Sequence, residues 1–189
     1  MLDKVLGSDA DKIRRTLDEI DRKSFDEAVE KIVAARSIYI IGVRSSSTLA
    51  GFLNFNFRMI LDNVKFVQTT SGSEMFEQIM SIGPEDVLIA ISFPRYSQRT
   101  LKAVHYAKKQ GACIIGITDS TSAPLAGADQ LLLARSDMVS FVDSLVAPLS
   151  IINAIIVAVA RKKPDDVRER LEKLEHIWDE YDVYDKTQN

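Results

Sequence analysis

The amino-acid sequence predicts an α/β protein in which five parallel strands form one sheet with helices on both faces. Short apolar runs rich in β-branched residues alternate with longer segments of helical spacing, as in successive right-handed βαβ crossovers. Strands one, three and four are apolar at nearly every position, which is typical of strands buried on both faces of a parallel sheet. The chain has 189 residues, enough for one such domain with a substantial core.

A helical segment precedes the first strand. Apolar residues recur at helical spacing over residues 9–35, and Ser24 can act as a helix cap in the middle of that segment. The segment is therefore either two helices or one bent helix.

The sheet and its crossovers follow in a regular order, separated by turn signals. Five strands with one helix per crossover favour the order 2-1-3-4-5, a three-layer, doubly wound, flavodoxin-like arrangement whose switch point lies between strands one and three. Gly111 is well placed as the C-terminal cap of the helix before strand four. The predicted strands are 37–41, 64–67, 87–91, 113–118 and 131–133, and the helices between them are 46–61, 72–80 and 97–110, with a single turn at 123–126.

Two more helices are predicted after strand five. Residues 139–161 form a long apolar helix that is too short to span a bilayer and is interrupted by Pro148, and residues 164–181 form a charged amphipathic helix. We expect one domain over 1–189, made of an N-terminal helical segment (1–36), an α/β core (37–134) and C-terminal helices (139–182). The apolar stripes of the outer helices need a partner, either the sheet of the same subunit or a second subunit.

Composition narrows the class of protein. The net charge is −3, so the chain as a whole has no bias towards nucleic acid. The first ten residues contain two acidic residues, Asp3 and Asp9, and lack the apolar stretch of a secretion signal. The single cysteine, Cys113, lies in an apolar run and is expected to be buried and unreactive. These features predict a cytoplasmic protein without a membrane segment.

Two serine-rich turns follow strands one and three, the strands that flank the switch point. Each turn opens a helix, so hydroxyl groups, backbone N–H groups and two guanidinium groups are expected to meet at one crevice. This combination suits an anion, most simply a phosphate. The candidate ligand-binding residues in the two turns are Gly42, Arg44, Ser45, Ser46, Ser47, Ser92, Arg95 and Ser97.

Other roles for these residues stay open at this point. One serine of 45–47 is expected to cap its helix, and either arginine could be solvent-exposed or ion-paired. Arg95 is the strongest contact candidate, because an arginine at a helix N-terminus opposes the helix dipole unless an anion offsets it. Thr70 and Ser71, after strand two, either add hydroxyl groups to the crevice or form a turn, and Asp119, after strand four, is expected to cap the next turn.

Several site classes are excluded. The next glycine after Gly42 is Gly51, so the dinucleotide fingerprint fails, and the sequence has no P-loop. His105 lies roughly 12 Å from the start of its helix and is badly placed for the crevice of its own subunit. We find no metal-ligand spacing and predict neither a metal nor a cofactor.

Three segments resemble the SIS (sugar isomerase) domain, a phosphosugar-binding module. Residues 41–50 resemble its Gly-x-Gly-x-Ser-x-x-x-Ala loop, residues 91–97 stand where the family has Ile-Ser-x-Ser-Gly-x-Thr, and residues 115–129 resemble later elements. The likeness covers residues 25–160. The variant turn at 92–97, the run at 143–149 and the trailing charged helix are most similar to the C-terminal effector domain of RpiR-type transcriptional regulators.

The resemblance implies a SIS fold with flanking helices and a non-catalytic sensor of a sugar phosphate, in a regulator of carbohydrate metabolism. Ligand binding would be coupled to the arrangement of a homo-oligomer, which we expect to be a dimer. DNA would be bound only through an attached N-terminal helix-turn-helix domain, for which the 36 residues before strand one leave no room.

The resemblance also assigns roles, and the sequence departs from the family pattern. Ser46 and Ser97 match the positions that contact the phosphate, and Ser92 matches the first serine of its motif. Arg44 replaces the second glycine of the first loop, while Pro94 and Arg95 replace the Ser-Gly of the second. Arg95 either serves the same anion or fills a degenerate site.

The alternative is a single-domain phosphosugar aldose–ketose isomerase. Residues 73–76 resemble the Ser-Glu-Phe of catalytic members, which makes Glu74 the candidate base. A ring-opening histidine would have to be His105 or His176 of another subunit. Glu74 in a first helical turn is also favourable for the helix dipole alone, so an enzyme is the less favoured hypothesis. A scaffold with an inactive pocket is a third.

Overall fold

Seven helices and five strands make up the computed structural model, which describes residues 1–68, 71–137 and 143–183. The predicted strands and core helices are found with boundaries that differ by at most one residue. In chain order the elements are α1 (Leu2–Glu19), α2 (Arg22–Ala34), β1 (Ile38–Gly42), α3 (Ser45–Ile60), β2 (Val64–Phe66), α4 (Gly72–Ile79), β3 (Val87–Ile91), α5 (Gln98–Lys109), β4 (Cys113–Thr118), β5 (Gln130–Leu133), α6 (Val146–Lys162) and α7 (Pro164–Glu180).

The sheet has the predicted order, β2-β1-β3-β4-β5, and every pair of neighbouring strands is parallel. Each residue of β1 and β3 is buried, as expected for strands covered on both faces. Their register runs from Ile38 opposite Val87 to Gly42 opposite Ile91. The turns that follow these two strands therefore leave the sheet at the same height.

Helices cover the two faces unequally. Apolar residues of α2, α3 and α6 form one cluster against the sheet, and α4 and α5 cover the other face with a second cluster. Helix α1 packs on α6, while α7 packs on α3 and α6. The face with α2, α3 and α6 is thus backed by an outer layer.

The N-terminal segment is two helices, and the first begins earlier than the predicted residue 9. Leu2, Val5 and Leu6 extend the helical spacing of the segment back to its start. Asp21, rather than Ser24, caps the second helix: its carboxylate accepts from the Lys23 N–H at 3.0 Å and from the Ser24 Oγ–H at 2.8 Å.

The first C-terminal helix begins at Val146, and the predicted start at Val139 is wrong because residues 143–145 are not helical. Residues 138–142 lie outside the described residues. Pro148 accounts for the later start. In a helix begun at Val139 it would sit in the interior without an N–H to donate, whereas in α6 it lies in the first turn, where no helical partner is needed.

The cysteine is only half-buried, so the expectation of full burial is wrong. Cys113 is the first residue of β4, at the amino end of the sheet. Burial, and secondarily the charge of Asp129, raises the pKa of its thiol, which keeps the thiol protonated and weakly nucleophilic.

A buried carboxylate joins two loops at the amino end of the sheet. Asp86 is 1% exposed and accepts from Arg36 Nε at 3.0 Å, from Arg36 Nη2 at 2.6 Å and from the Gly83 N–H at 2.8 Å. Burial alone would raise the pKa of Asp86, but the bonds from Arg36 and Gly83 outweigh it and hold that pKa below 3.8. The Asp86 carbonyl also accepts from the Cys113 N–H at 3.1 Å, so this loop aligns β1, β3 and β4.

We predict that Asp86→Ala lowers the free energy of unfolding by about 2–3 kcal/mol at neutral pH, because charge-assisted hydrogen bonds are lost. The depressed pKa means that the contribution is complete above about pH 5 and is lost as the pH falls through the folded-state pKa. Urea unfolding at neutral and acidic pH measures both effects. The control is Glu85→Ala, whose side chain is 76% exposed and 4.0 Å from Arg36, with an expected change of under about 0.5 kcal/mol. Equal losses for the two variants would contradict the role of Asp86.

Candidate functional site

A cavity of about 390 Å³ lies at the carboxyl ends of β1 and β3, at the topological switch point. Its wall comes from the β1–α3 turn, the β3–α5 turn and the segment just before α6. Most of the predicted ligand residues meet there. Those on the wall are Arg44, Ser45, Ser46, Ser92, Arg95 and Ser97.

Gly42 sets the distance between β1 and α3. A Cβ at this position would lie 2.3 Å from the Ser46 carbonyl oxygen and 2.9 Å from the Ala50 Cβ. The first turn of α3 therefore sits directly against the end of β1 only because residue 42 is glycine. The reason is space rather than a left-handed backbone, since Gly42 is not among the residues with positive φ.

Both arginines of the site have positive φ angles. Arg44 has φ 58° and ψ −128°, and Arg95 has φ 62°. These conformations favour glycine, and a residue with a side chain holds them at a cost of about 1–3 kcal/mol. They also coincide with the glycines of the family pattern that Arg44 and Arg95 replace. The chain thus keeps a glycine-like backbone at both turns while placing a guanidinium on the cavity wall at each.

The serines are used differently from the prediction that one of them caps α3. Helix α3 begins at Ser45, and its N-cap is Arg44, which makes no side-chain cap bond. The reason is the left-handed Arg44, which turns the chain into the helix one residue earlier than predicted. Ser47 instead donates its Oγ–H to the Arg44 carbonyl at 2.6 Å and is not on the cavity wall.

The helix N-termini at the cavity lack side-chain caps. Ser97 is the N-cap of α5, but its hydroxyl makes no cap bond, and neither α3 nor α5 has an acidic residue in its first turn. No side-chain cap therefore occupies the first turn of α3 or α5, although the Ser47 N–H donates to the Arg44 carbonyl at 2.9 Å, and both helix dipoles point their positive ends at the cavity. Ser46 and Ser92 are 4% and 2% exposed and are fixed by the packing around them.

A hydrogen bond that the sequence analysis missed anchors the second turn. Tyr96 donates its O–H to Asp119 Oδ1 at 2.9 Å, and Thr118 Oγ1 donates to the same oxygen at 3.2 Å. Burial, together with the bond to Asp119, raises the pKa of Tyr96 to about 12, so the phenol stays a donor at physiological pH. The bond ties the residue after Arg95 to the end of β4. The expected cap at Asp119 is wrong, because the hydroxyl of Ser120 accepts from the Ser122 N–H at 3.0 Å.

Asp143 also lines the cavity and was not among the predicted site residues. It belongs to the run at 143–149 that resembles the regulator family, which is the one signal that could have found it. A carboxylate beside two arginines would repel a phosphate placed next to it, so Asp143 suits the uncharged, hydroxyl-bearing part of a ligand.

The remaining candidates lie elsewhere. Ser71 caps α4, accepting from the Glu74 N–H at 3.2 Å, and is not on the cavity wall, while Thr70 lies outside the described residues. Glu74 is exposed in the first turn of α4 and does not line the cavity either. His105 is exposed on α5 in a separate groove, and His176 is exposed on α7.

Within residues 1–68, 71–137 and 143–183, no three His, Cys, Asp or Glu side chains are grouped as a metal ion would require. No helix in those ranges combines the length and apolar character needed to cross a membrane.

A parallel sheet of order β2-β1-β3-β4-β5 with a cavity at its switch point defines a doubly wound α/β domain. The particular family is the SIS domain, which matches residues 31–158, and the chain belongs to it.

Relatives and solved structures agree with this family. An uncharacterized HTH-type transcriptional regulator of Caldanaerobacter subterraneus is 25% identical over 182 residues, which are 94% of this chain and 64% of the relative. The sugar isomerase domain of an RpiR transcription factor from Sphaerobacter thermophilus superposes with a TM-score of 0.89 at 24% identity, over 93% of this chain and 98% of that one. The NanR protein of Vibrio vulnificus, complexed with ManNAc-6P, gives a TM-score of 0.81 at 19% identity, over 94% and 68%.

The curated relatives are longer than this chain. The chain spans between 43% and 64% of their lengths, and all are named HTH-type transcriptional regulators.

Replacing Arg44 with glycine or with alanine tests whether its backbone conformation is strained. We predict that Arg44→Gly raises the free energy of unfolding by about 1 kcal/mol, because glycine holds φ 58° without strain. Arg44→Ala keeps the strained backbone and should stay within about 0.5 kcal/mol of the parent. Chemical denaturation of the three proteins makes the comparison. Equal stability of the glycine and alanine variants would mean that the turn is unstrained.

Proposed function

We propose that this chain is the phosphosugar-binding effector domain of an HTH-type transcriptional regulator, and that it senses its ligand without catalysing a reaction. The observation that carries the proposal is the meeting of two uncapped helix N-termini and two arginines at one cavity. The similarity to NanR, which was solved with ManNAc-6P, supports a phosphorylated sugar as the ligand class.

The phosphate would bind between the two turns. First-turn N–H groups of α3 and α5 would donate to its oxygens, with the hydroxyls of Ser46, Ser92 and Ser97 as additional donors. Arg44 and Arg95 would neutralise its charge from the two sides of the crevice. The arginines supply the charge that the family pattern, with glycines at these positions, leaves to backbone and hydroxyl groups.

The sugar would lie towards α6. Asp143 is on that side of the cavity and can accept hydrogen bonds from sugar hydroxyl or amino groups. A cavity of about 390 Å³ holds a single hexose phosphate. The two turns would therefore bind the phosphate, and the segment before α6 would bind the sugar.

Ligand binding would change how the two subunits of a cytoplasmic homodimer are arranged. The DNA-binding segments of the regulator would lie outside the present chain. The longer relatives are named HTH-type regulators, which supports DNA binding by segments other than this domain. A ligand can shift such an arrangement only if its contacts differ between the two states.

Thermal unfolding in the presence of sugar phosphates tests the ligand class. Glucose 6-phosphate, fructose 6-phosphate, glucosamine 6-phosphate and ManNAc-6P form the panel, with the free sugars and inorganic phosphate as controls. A ligand at about 100 times its Kd should stabilise the protein by roughly 2.7 kcal/mol, or about 5–10 °C. Arg95→Ala should abolish the shift, whereas Lys102→Ala, an exposed cation on the same helix but off the cavity wall, should leave it intact. A panel without any shift would overturn the proposal.

Incubating a stabilising sugar phosphate with the protein separates a sensor from an isomerase. We expect the sugar phosphate to be recovered unchanged, because Glu74, the candidate base, does not line the cavity. Chromatography of the sugar phosphates measures conversion, with Glu74→Gln as the matched variant. Conversion that Glu74→Gln removes would establish the enzyme instead.

A further inference from the structure

Arg95 holds a backbone conformation that arginine rarely adopts, with φ 62°. Glycine, which the family pattern places here, would hold this conformation without strain, whereas a residue with a side chain keeps it only where the surrounding structure enforces it. The Arg95 side chain is exposed on the cavity wall, and it makes no hydrogen bond or ion pair with the residues that the structure describes. The support for its backbone must therefore come from neighbouring residues of the turn.

Both neighbours of Arg95 are restrained. The ring of Pro94 fixes the φ angle of the residue before it in the chain. Tyr96, the residue after it, is half-buried and donates its O–H to Asp119 Oδ1 at 2.9 Å. The backbone of Arg95 thus lies between a rigid residue and a tethered side chain.

The acceptor of the Tyr96 hydroxyl is held by the sheet. Asp119 directly follows β4, and Thr118 Oγ1 donates to the same Asp119 oxygen at 3.2 Å. Thr118 is fully buried, and its carbonyl accepts from the Ala134 N–H at 2.8 Å at the end of the neighbouring strand. The Asp119 carboxylate is therefore oriented by a fixed strand end and does not move with the turn that it holds.

The other left-handed arginine is supported by a different contact. Ser47 donates both its N–H, at 2.9 Å, and its Oγ–H, at 2.6 Å, to the Arg44 carbonyl, so the first turn is closed by its own residues. Among the residues that the structure describes, no such local bond closes on the Arg95 carbonyl. The second turn therefore depends on a contact from another strand, whereas the first does not.

We propose that Tyr96, Asp119 and Thr118, which we name the Arg95 anchor, hold Arg95 in its left-handed conformation and thereby set the affinity of the cavity for a phosphate group. They are positioning residues, because none of them lines the cavity and each acts through Arg95. An arginine whose backbone is fixed before the ligand arrives loses less conformational freedom on binding, so more of its interaction with the phosphate appears as affinity. The effect on phosphate rests on the proposed function, whereas the effect on the Arg95 backbone does not.

NMR of the protein without ligand tests the backbone part, because the three-bond coupling between the amide and α protons of Arg95 reports its φ angle. Tyr96→Phe removes only the phenolic hydroxyl and should change this coupling. Asp119→Asn keeps an Oδ1 acceptor and should retain the coupling of the parent. Tyr106→Phe is the matched control, since Tyr106 also lies on the α5 side of the sheet and donates its O–H to the Met80 carbonyl at 3.3 Å, off the cavity wall. An unchanged coupling in Tyr96→Phe would overturn the Arg95 anchor.

Calorimetric titration tests the effect on affinity, with glucose 6-phosphate, fructose 6-phosphate, glucosamine 6-phosphate and ManNAc-6P as the probes. Tyr96→Phe should raise the Kd of each sugar phosphate that binds the parent by roughly five- to tenfold, through the loss of one hydrogen bond that positions Arg95. Asp119→Leu should cause a similar loss, whereas Asp119→Asn and Tyr106→Phe should stay within about twofold of the parent. A Kd for Asp119→Asn as high as that for Asp119→Leu would overturn the positioning role, because it would make the charge of Asp119 the cause rather than its bond to Tyr96.

Failure of the Arg95 anchor and failure of the proposed function give different results. If none of the four sugar phosphates binds the parent, the proposed function fails, and the NMR coupling still decides whether the anchor holds the Arg95 backbone. If a sugar phosphate binds the parent and Tyr96→Phe with the same Kd, the proposed function stands and the role of the anchor in binding is overturned.

Discussion

The parallel pairing of β1 with β3 is the constraint on which the site depends. Because Gly42 lies opposite Ile91, both strands end at one level, and the two helices that follow begin side by side. Two helix N-termini at one point repel each other electrostatically, and α3 and α5 carry no first-turn acid to reduce that repulsion. The topology thus builds a positive site before any side chain is considered.

Gly42 and the two left-handed arginines make this arrangement compact. The missing Cβ at residue 42 lets α3 start against the strand end, and positive φ angles at Arg44 and Arg95 complete both turns. Glycine would meet the second requirement without strain. The presence of arginine there is consistent with a site that exchanges some stability for guanidinium groups near an anion, a trade that is common where function sets the residue type.

The sequence was a good guide wherever one physical effect dominated. Short apolar runs located all five strands, and the turns after β1 and β3 supplied six of the predicted residues on the cavity wall. It failed where two effects competed. The long apolar run favoured an early start of α6, whereas Pro148 favoured a later one, and the predicted start at Val139 was too early. Asp143 follows no strand and carries no periodic signal, so only its position in space brings it to the cavity. The positive φ angles of Arg44 and Arg95 were hidden because arginine rarely adopts them.

Helix α1 shows most clearly what a pattern of apolar residues leaves undetermined. Spacing identifies the apolar stripe, but not whether that stripe faces the sheet or another molecule. Here Lys12 and Thr16 face inward and the stripe is left outside. In the proposed sensor, α1 also holds part of the cavity wall. Two wall segments of the cavity are fixed at buried strand ends, whereas the third, which carries Asp143, is held by α1 through Ser144 and Asp9. A ligand that bridges the fixed turns and Asp143 would therefore act on the one wall segment that is joined to α1.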